Sequence, residues 1–183
     1  DAASFIDNHF VFLDSKDGAV STVDSIIDRT KQAVLRLGVR GLVIDPYNYI
    51  EMSNDKEHKG ISDMLTAIVT FAKAHGIHVF FIAHPKAMIP NREGKFPVPT
   101  GMHISGGPTW FAKADLGITV HRGDNGTEIH CWKARLKWIG KQGMVYVDYD
   151  VPTGRYSDYT GGDNHKPMSE TTTRAHYLDD VDF

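Results

Sequence analysis

The chain has 183 residues, a formal net charge of −3 and 41% hydrophobic residues, which allows one domain with a sizeable core and gives no overall attraction to nucleic acid. No apolar run approaches membrane-spanning length, and no secretory signal pattern is present. The single cysteine, Cys131, excludes an internal disulfide and predicts a reducing compartment, here the cytoplasm.

The first predicted elements are a short strand and a helix. Residues 10–13 form an apolar run that predicts a strand. Residues 21–38 carry apolar side chains at helical spacing, with Ser21 or Thr22 able to cap the start and Gly38 the end. The positions expected to face inward are Val23, Ile26, Ile27, Val34 and Leu37.

A strand, a helix and a second strand follow. Residues 41–44 are an apolar run that ends at Asp45, and residues 77–83 are a similar run that ends at His84. This order predicts a βαβ unit with parallel strands, so that Asp45 and His84 lie at the same edge of the sheet, where ligands bind in such folds. The helix between them is predicted from apolar residues on one face and from its closing pair His75-Gly76: Ile61, Met64, Leu65, Ile68 and Ala72.

The second half of the chain is predicted to be mostly antiparallel. A long loop runs from His84 to about residue 102, and a short helix over 106–114 follows it. Asp124-Asn125-Gly126 is a strong hairpin signal, and a further turn falls at residues 152–154 near Tyr156. The three predicted strands cover residues 116–121, 127–132 and 144–149.

Several motifs in this order resemble hexameric replicative DNA helicases. They are Ile104-Ser105-Gly106-Gly107, Trp110-Phe111-Ala112-Lys113-Ala114-Asp115, Val120-His121-Arg122 and Lys133-Ala134-Arg135-Leu136-Lys137-Trp138-Ile139-Gly140-Lys141. The resemblance runs from about residue 10 to residue 156. It is strongest to the Twinkle-like branch, which includes the primase-helicases of T-odd phages, and weaker to DnaB. It implies an α/β fold of the RecA-like ATPase type, with a mainly parallel central sheet flanked by helices, over residues 1–159. It also implies a hexameric ring that uses ATP and Mg²⁺.

The resemblance implies roles for the strand-end residues. Asp45 matches the Walker B aspartate, which helps to hold Mg²⁺; a turn-capping aspartate is the simpler alternative. His84 matches the sensor of the γ-phosphate. Arg135 matches the arginine finger that acts on a neighbouring subunit's nucleotide, with Lys133 as its companion, although a solvated basic edge would look similar in isolation.

The resemblance also implies binding residues. Arg122 and Tyr149 match a pair that sandwiches the adenine base, and a half-buried strand tyrosine is the alternative for Tyr149. The loop after His84 matches the central DNA-binding loop, whose contacts with single-stranded DNA position the strand without reading its sequence. The loop residues implied are Lys86, Asn91, Arg92, Lys95, Ser105 and Gly106.

One departure from the family is that the sequence contains no Gly-x-x-x-x-Gly-Lys-Ser/Thr phosphate loop. We therefore expect a C-terminal part of a larger helicase that does not hydrolyse ATP alone. A non-catalytic module that binds single-stranded DNA is an alternative. A metal-dependent hydrolase built on His75, His78, His84, His103 and Asp45 is another, but no two of these histidines have the i, i+4 spacing of helical zinc sites.

Residues 160–183 are polar and aperiodic, which predicts a flexible tail. The tail ends in an acidic segment that contains Asp179, Asp180, Asp182 and Phe183. The phage primase-helicases end similarly, and the resemblance implies docking on the replicative DNA polymerase. A solubilising acidic end is the alternative.

Overall fold

The computed structural model describes residues 1–13, 21–51, 57–123, 126–138 and 140–160. The chain divides into two compact units, Asp1–His84 and Pro85–Phe183. Within the described residues, every helix is too short or too polar to cross a membrane.

The first unit contains the predicted βαβ arrangement. The strand after Arg40 and the strand that begins at His78 pair in parallel, with Ile44 beside Phe81 and a long helix between them in the chain. This confirms the predicted parallel pair. The elements are α1 (Ala2–His9), β1 (Ser21–Thr22), α2 (Val23–Leu37), β2 (Gly41–Ile44), β3 (Ile50–Glu51), α3 (Glu57–His75) and β4 (His78–Phe81), and β1 pairs with β3 in parallel.

The ends of α2 are those that the sequence predicts. Thr22 caps the start, because its side chain accepts a hydrogen bond from the Ser25 backbone N–H at 3.2 Å, and Gly38 ends the helix in the left-handed conformation. Thr30 is buried, and its hydroxyl donates to the Ile26 carbonyl at 2.7 Å. Leu37 was expected to face inward but is 65% exposed, because the helix ends there and leaves its side chain uncovered.

The core of this unit comes from one face of α3 and one face of β2. Leu42 and Ile44 are buried, and so are the α3 residues Ile61, Met64, Leu65, Ile68 and Phe71. The opposite face of the β2–β4 pair is open, since Val43 is 56%, Phe80 54% and Ile82 38% exposed. The near-continuous apolar run therefore does not mark a strand that is covered on both faces.

The strand predicted over residues 10–13 is not formed. Phe10 has an extended backbone, with φ −118° and ψ 135°, but the segment belongs to no sheet among the described residues. All of its side chains are exposed, Phe12 by 79%. An apolar run favours a strand only where a partner strand completes its hydrogen bonds.

The second unit is a helix followed by a four-stranded antiparallel sheet. Gly123 pairs with Gly126, which confirms the predicted hairpin, although its residues 124–125 lie outside the described residues. The strand order is β5-β6-β7-β8, and the last strand replaces the predicted turn region around Tyr156. The elements are α4 (Gly107–Lys113), β5 (Leu116–Gly123), β6 (Gly126–Ala134), β7 (Gly143–Asp150) and β8 (Arg155–Asp158).

A β-bulge interrupts the β5–β6 pairing at Trp132. Cys131 pairs with Ile118 and Lys133 pairs with Gly117, so Trp132 is the extra residue on β6. Its indole N–H donates to the Thr119 hydroxyl at 3.2 Å, and its ring is 7% exposed. The Gln142 side-chain amide donates to its carbonyl at 2.9 Å, which satisfies the backbone group that the bulge removes from the ladder.

Candidate functional site

The first unit brings Asp45 and His84 to one sheet edge. Asp45 follows the last residue of β2, and the β2–β4 ladder continues past that point, because the Ile82 N–H donates to the Ile44 carbonyl at 2.9 Å. The Tyr47 N–H then donates to the Ile82 carbonyl at 3.2 Å. His84 lies two residues further on. Both side chains are exposed, so a ligand at this edge can reach them.

The edge suits a magnesium ion that is shared with a substrate. Asp45 is exposed, and the described residues contain no group of three or more histidine, cysteine, aspartate or glutamate side chains that could hold a metal. Mg²⁺ in nucleotide sites is typically bound by one or two carboxylates together with water and phosphate oxygens. A single available carboxylate at a strand end fits that requirement.

Two histidines of the hydrolase alternative have structural partners instead. His75 Nδ1 lies 3.1 Å from the Phe71 carbonyl in the last turn of α3. His103 Nδ1 accepts the Thr100 backbone N–H at 2.9 Å and so closes a short 3₁₀ turn. These bonds assign His75 and His103 to helix ends.

In the second unit, the loop predicted to bind DNA has an ordered tip. The Asn91 side-chain oxygen accepts the backbone N–H groups of Glu93 at 2.9 Å and Lys95 at 3.0 Å, and Gly94 has a φ of 79°. Asn91 thus organises the turn, in the way that asparagine commonly does. The turn presents Arg92 and Lys95 on an exposed surface.

Both ends of this loop are fixed within the second unit. The Lys86 N–H donates to the His103 carbonyl at 2.8 Å, and the Trp110 indole N–H donates to the Ser105 carbonyl at 2.8 Å. Gly106 caps α4 with a φ of 72° and is buried. Of the two residues predicted at this end, Ser105 is therefore the more accessible to DNA.

Lys133 and Arg135 converge on the C-terminal end of α4. The Lys133 ammonium donates to the carbonyls of Phe111 and Ala112, the latter at 3.2 Å. Arg135 Nη2 donates to the carbonyls of Ala112 at 2.5 Å and Ala114 at 3.2 Å. Cations favour this end of a helix because unpaired carbonyls and the helix dipole make it negative. The pair is therefore more than a solvated basic edge.

The two cations influence each other. Partial burial lowers the pKa of Lys133 below its usual 10.5, and the positive charge of Arg135 lowers this pKa further, while Asp115 raises it. The Lys133 ammonium also lies 5.0 Å from the centre of the Phe111 ring. Asp115 itself pairs with Arg135, with Oδ1 2.7 Å from Nε.

Arg122 and Tyr149 are neighbours on one face of the antiparallel sheet. The Arg122 guanidinium lies 5.4 Å from the centre of the Tyr149 ring, and Tyr149 packs against Tyr156 at 4.9 Å. A flat base between two planar groups requires a separation of roughly 7 Å, because each carbon contact needs about 3.5 Å. The arginine and the tyrosine would therefore move apart by about 1.5 Å to sandwich a base.

Sequence reasoning did not assign Asp115, Tyr156 or the pair His130 and Glu128, whose side chains meet at 2.7 Å. The signal for Asp115 was its place just before β5, the hairpin partner of the strand with the Lys-x-Arg motif. Glu128 also raises the pKa of Tyr146, together with burial of the phenol, which is the larger cause. The predicted tail residues 179–183 lie outside the described residues.

Known proteins give two informative similarities. The sequence is 39% identical over 150 residues to the Twinkle homolog protein, chloroplastic/mitochondrial, of Arabidopsis thaliana, an alignment that covers 76% of this chain and 21% of that protein. The structure is similar to the solved ATPase domain of a DnaB-like helicase, with a TM-score of 0.64 and 19% identity over 76% of this chain and 52% of that one, which supports the fold. No protein-family model matches the sequence.

Proposed function

Because the chain belongs to the Twinkle-like helicase family, we propose that it is the later part of the RecA-like ATPase domain of a ring-shaped replicative DNA helicase. The observation that carries the proposal is the placement of Asp45 and His84 at the ends of two adjacent parallel strands, in a chain of this family. The full-length protein that contains this chain and a phosphate loop is called the parent below.

In the parent, Asp45 would hold Mg²⁺, whose charge offsets that of the nucleotide phosphates. His84 lies at the same edge and would contact the terminal phosphate, so the loop that follows it could respond to the nucleotide. Arg122 and Tyr149 would bind the base by stacking. This chain's own residues therefore supply one carboxylate, one sensor and one base-binding pair.

Arg135 is proposed to act on the nucleotide of a neighbouring subunit, with Lys133 beside it. Phosphoryl transfer spreads negative charge over the equatorial oxygens, and a cation placed there stabilises the transition state more than the bound nucleotide. This role requires a ring of subunits, which we propose to be a hexamer.

The proposed nucleic-acid ligand is single-stranded DNA in the ring channel. Lys86, Arg92 and Lys95 are exposed on the loop that precedes α4 and would contact backbone phosphates. Translocation and duplex unwinding would follow from coupling this loop to the nucleotide. The acidic segment 177–183 is proposed to bind the replicative polymerase, and a cytoplasmic location stays a prediction from the sequence.

The test is Arg135→Ala in the parent. We expect DNA-stimulated ATP hydrolysis to fall on the order of a thousandfold or more while nucleotide binding persists, because the cation acts mainly in the transition state. Arg155→Ala, an exposed arginine on β8, is the matched control.

Mixed rings distinguish action within a subunit from action across the interface. Arg135→Ala subunits mixed with Asp45→Ala subunits form some interfaces with both groups intact, so activity should partly return. Mixed rings with no recovery would contradict the assignment across the interface. Full hydrolysis by Arg135→Ala with DNA binding retained would remove Arg135 from catalysis, and an inactive wild-type parent that still binds DNA would favour the non-catalytic module.

A further inference from the structure

The position of Arg135 is set by a group that the family motif did not single out. Asp115 Oδ1 lies 2.7 Å from Arg135 Nε, and the Arg135 backbone N–H donates to the Asp115 carbonyl at 2.9 Å. Arg135 Nη2 donates to Ala112 and Ala114 in the same stretch of chain. One edge of the guanidinium is therefore held by protein acceptors from two directions.

This grip leaves part of the guanidinium accessible. A guanidinium offers five N–H donors in a fixed plane, and the contacts of Arg135 described here use Nε and Nη2. The side chain as a whole is 47% exposed. A phosphate that approaches from solvent thus meets Nη1 on a group whose plane is already fixed.

The pair is poorly suited to a purely stabilising role. The Asp115 side chain is 66% exposed, and exposed ion pairs typically contribute little to folding because solvent and salt screen them. An exposed carboxylate that costs little to lose from the fold can still matter where the direction of one cation decides a reaction rate.

The β-bulge produces this geometry. Without the extra residue at Trp132, the hairpin register would place Asp115 opposite Ala134 instead of Arg135, because each pair in the upper part of the ladder would continue unchanged. A shift of one residue moves side chains to the other face of a sheet. The irregularity is therefore what brings the carboxylate beside the arginine.

We propose that Asp115 is a positioning residue that orients the Arg135 guanidinium for a phosphate on a neighbouring subunit. The inference rests on the proposed function of Arg135 and adds the group through which its direction is controlled. Asp115 does not touch the nucleotide, so its effect should pass entirely through Arg135.

The experiment measures DNA-stimulated ATP hydrolysis by the parent with Asp115→Ala and Asp115→Asn. We expect kcat to fall by about tenfold to a hundredfold, the effect of a small misplacement of a reacting group, with the KM for ATP and the affinity for single-stranded DNA within about twofold. Asp115→Glu should recover part of the loss, and Asp158→Asn, an exposed aspartate on β8, should leave kcat unchanged.

The double variant Asp115→Ala/Arg135→Ala separates positioning from other roles. It should be no slower than Arg135→Ala alone, because Asp115 has nothing left to orient. A further loss in the double variant, or a rise in hydrolysis without DNA in Asp115→Ala, would overturn the proposal. If Arg135→Ala is slow while both Asp115 variants keep full kcat, the positioning role alone is wrong. If Arg135→Ala is fully active, the proposed function of Arg135 fails with it.

Discussion

Gly117→Ala should destabilise the second unit, because a methyl group at this position would overlap the Trp132 ring. The ring cannot easily move away. Its Cη2 atom would also lie 2.7 Å from a Cβ at Gly101, its N–H is bonded to Thr119, and Phe111 stacks on it at 5.6 Å. Overpacking of a fixed core group costs about 1–3 kcal/mol, and the constraints on this ring place the substitution near 3 kcal/mol.

The assay is thermal unfolding followed by tryptophan fluorescence. All three tryptophans, Trp110, Trp132 and Trp138, lie in the second unit, so the signal reports on that unit. A loss of about 3 kcal/mol corresponds to a fall in the melting temperature of roughly 10–20 °C for a domain of about 100 residues. The reasoning would be refuted by a midpoint within about 2 °C of wild type.

Two further variants make the measurement specific. Gly143→Ala on β7 is the matched control, because a Cβ there meets no atom within 4 Å. It should raise the free energy of unfolding slightly, by about 0.4–1 kcal/mol, since alanine restricts the unfolded chain. Gly117→Ala combined with Trp132→Phe should cost less than the sum of the two single changes, because the smaller ring makes room for the methyl group.

Two other predictions concern charge. Lys86→Ala, Arg92→Ala and Lys95→Ala should each flatten the salt dependence of single-stranded DNA binding by the parent by roughly 0.7 in log–log slope, the effect of one lost phosphate contact; Lys73→Ala at the end of α3 is the control, and unchanged slopes for all three loop variants would place the DNA elsewhere. The Thr160 hydroxyl and backbone N–H lower the pKa of Asp148 below 3.8, so this carboxylate stabilises the fold above that pH and the contribution is lost as pH falls through the lowered pKa. Thr160→Val should therefore raise the pKa of Asp148 measured by NMR, and an unchanged value would show that the backbone bond alone sets it.

The parallel pair and the first hairpin were predictable because local patterns specify them. The spacing of Ile61, Met64, Leu65 and Ile68 on α3 identifies one buried helix face, and all four are at most 6% exposed. Phe71 lies on the same helix and is buried too, although the prediction omitted it. An apolar run ending in a polar residue similarly located Asp45 at a strand end.

Elements whose formation depends on a partner were not predictable. The four residues of β8 are all exposed, so Arg155–Asp158 carries no apolar alternation to announce a strand. Its pairing with β7 decides its conformation. Residues 10–13 show the reverse case, an apolar run without a sheet partner among the described residues.

The site prediction was limited by register. Lys133 and Arg135 were selected from the motif, but their contacts with α4 and Asp115 depend on the bulge at Trp132. The hairpin turn alone predicts regular pairing from Gly123 and Gly126 onward. A bulge arises from side-chain packing around Gly117, which has no local sequence signature beyond the glycine itself.

The open face of the β2–β4 pair has a practical consequence for work with this chain. Val43 and Phe80 are register partners, and with Ile82 they present a continuous hydrocarbon surface to water. Surfaces of this kind promote self-association in solution, and sulfate or phosphate salts strengthen that tendency because they are excluded from the protein surface. The concentration at which purified material stays monodisperse is therefore set by three side chains on one side of a two-stranded sheet, and low-salt buffers suit it best.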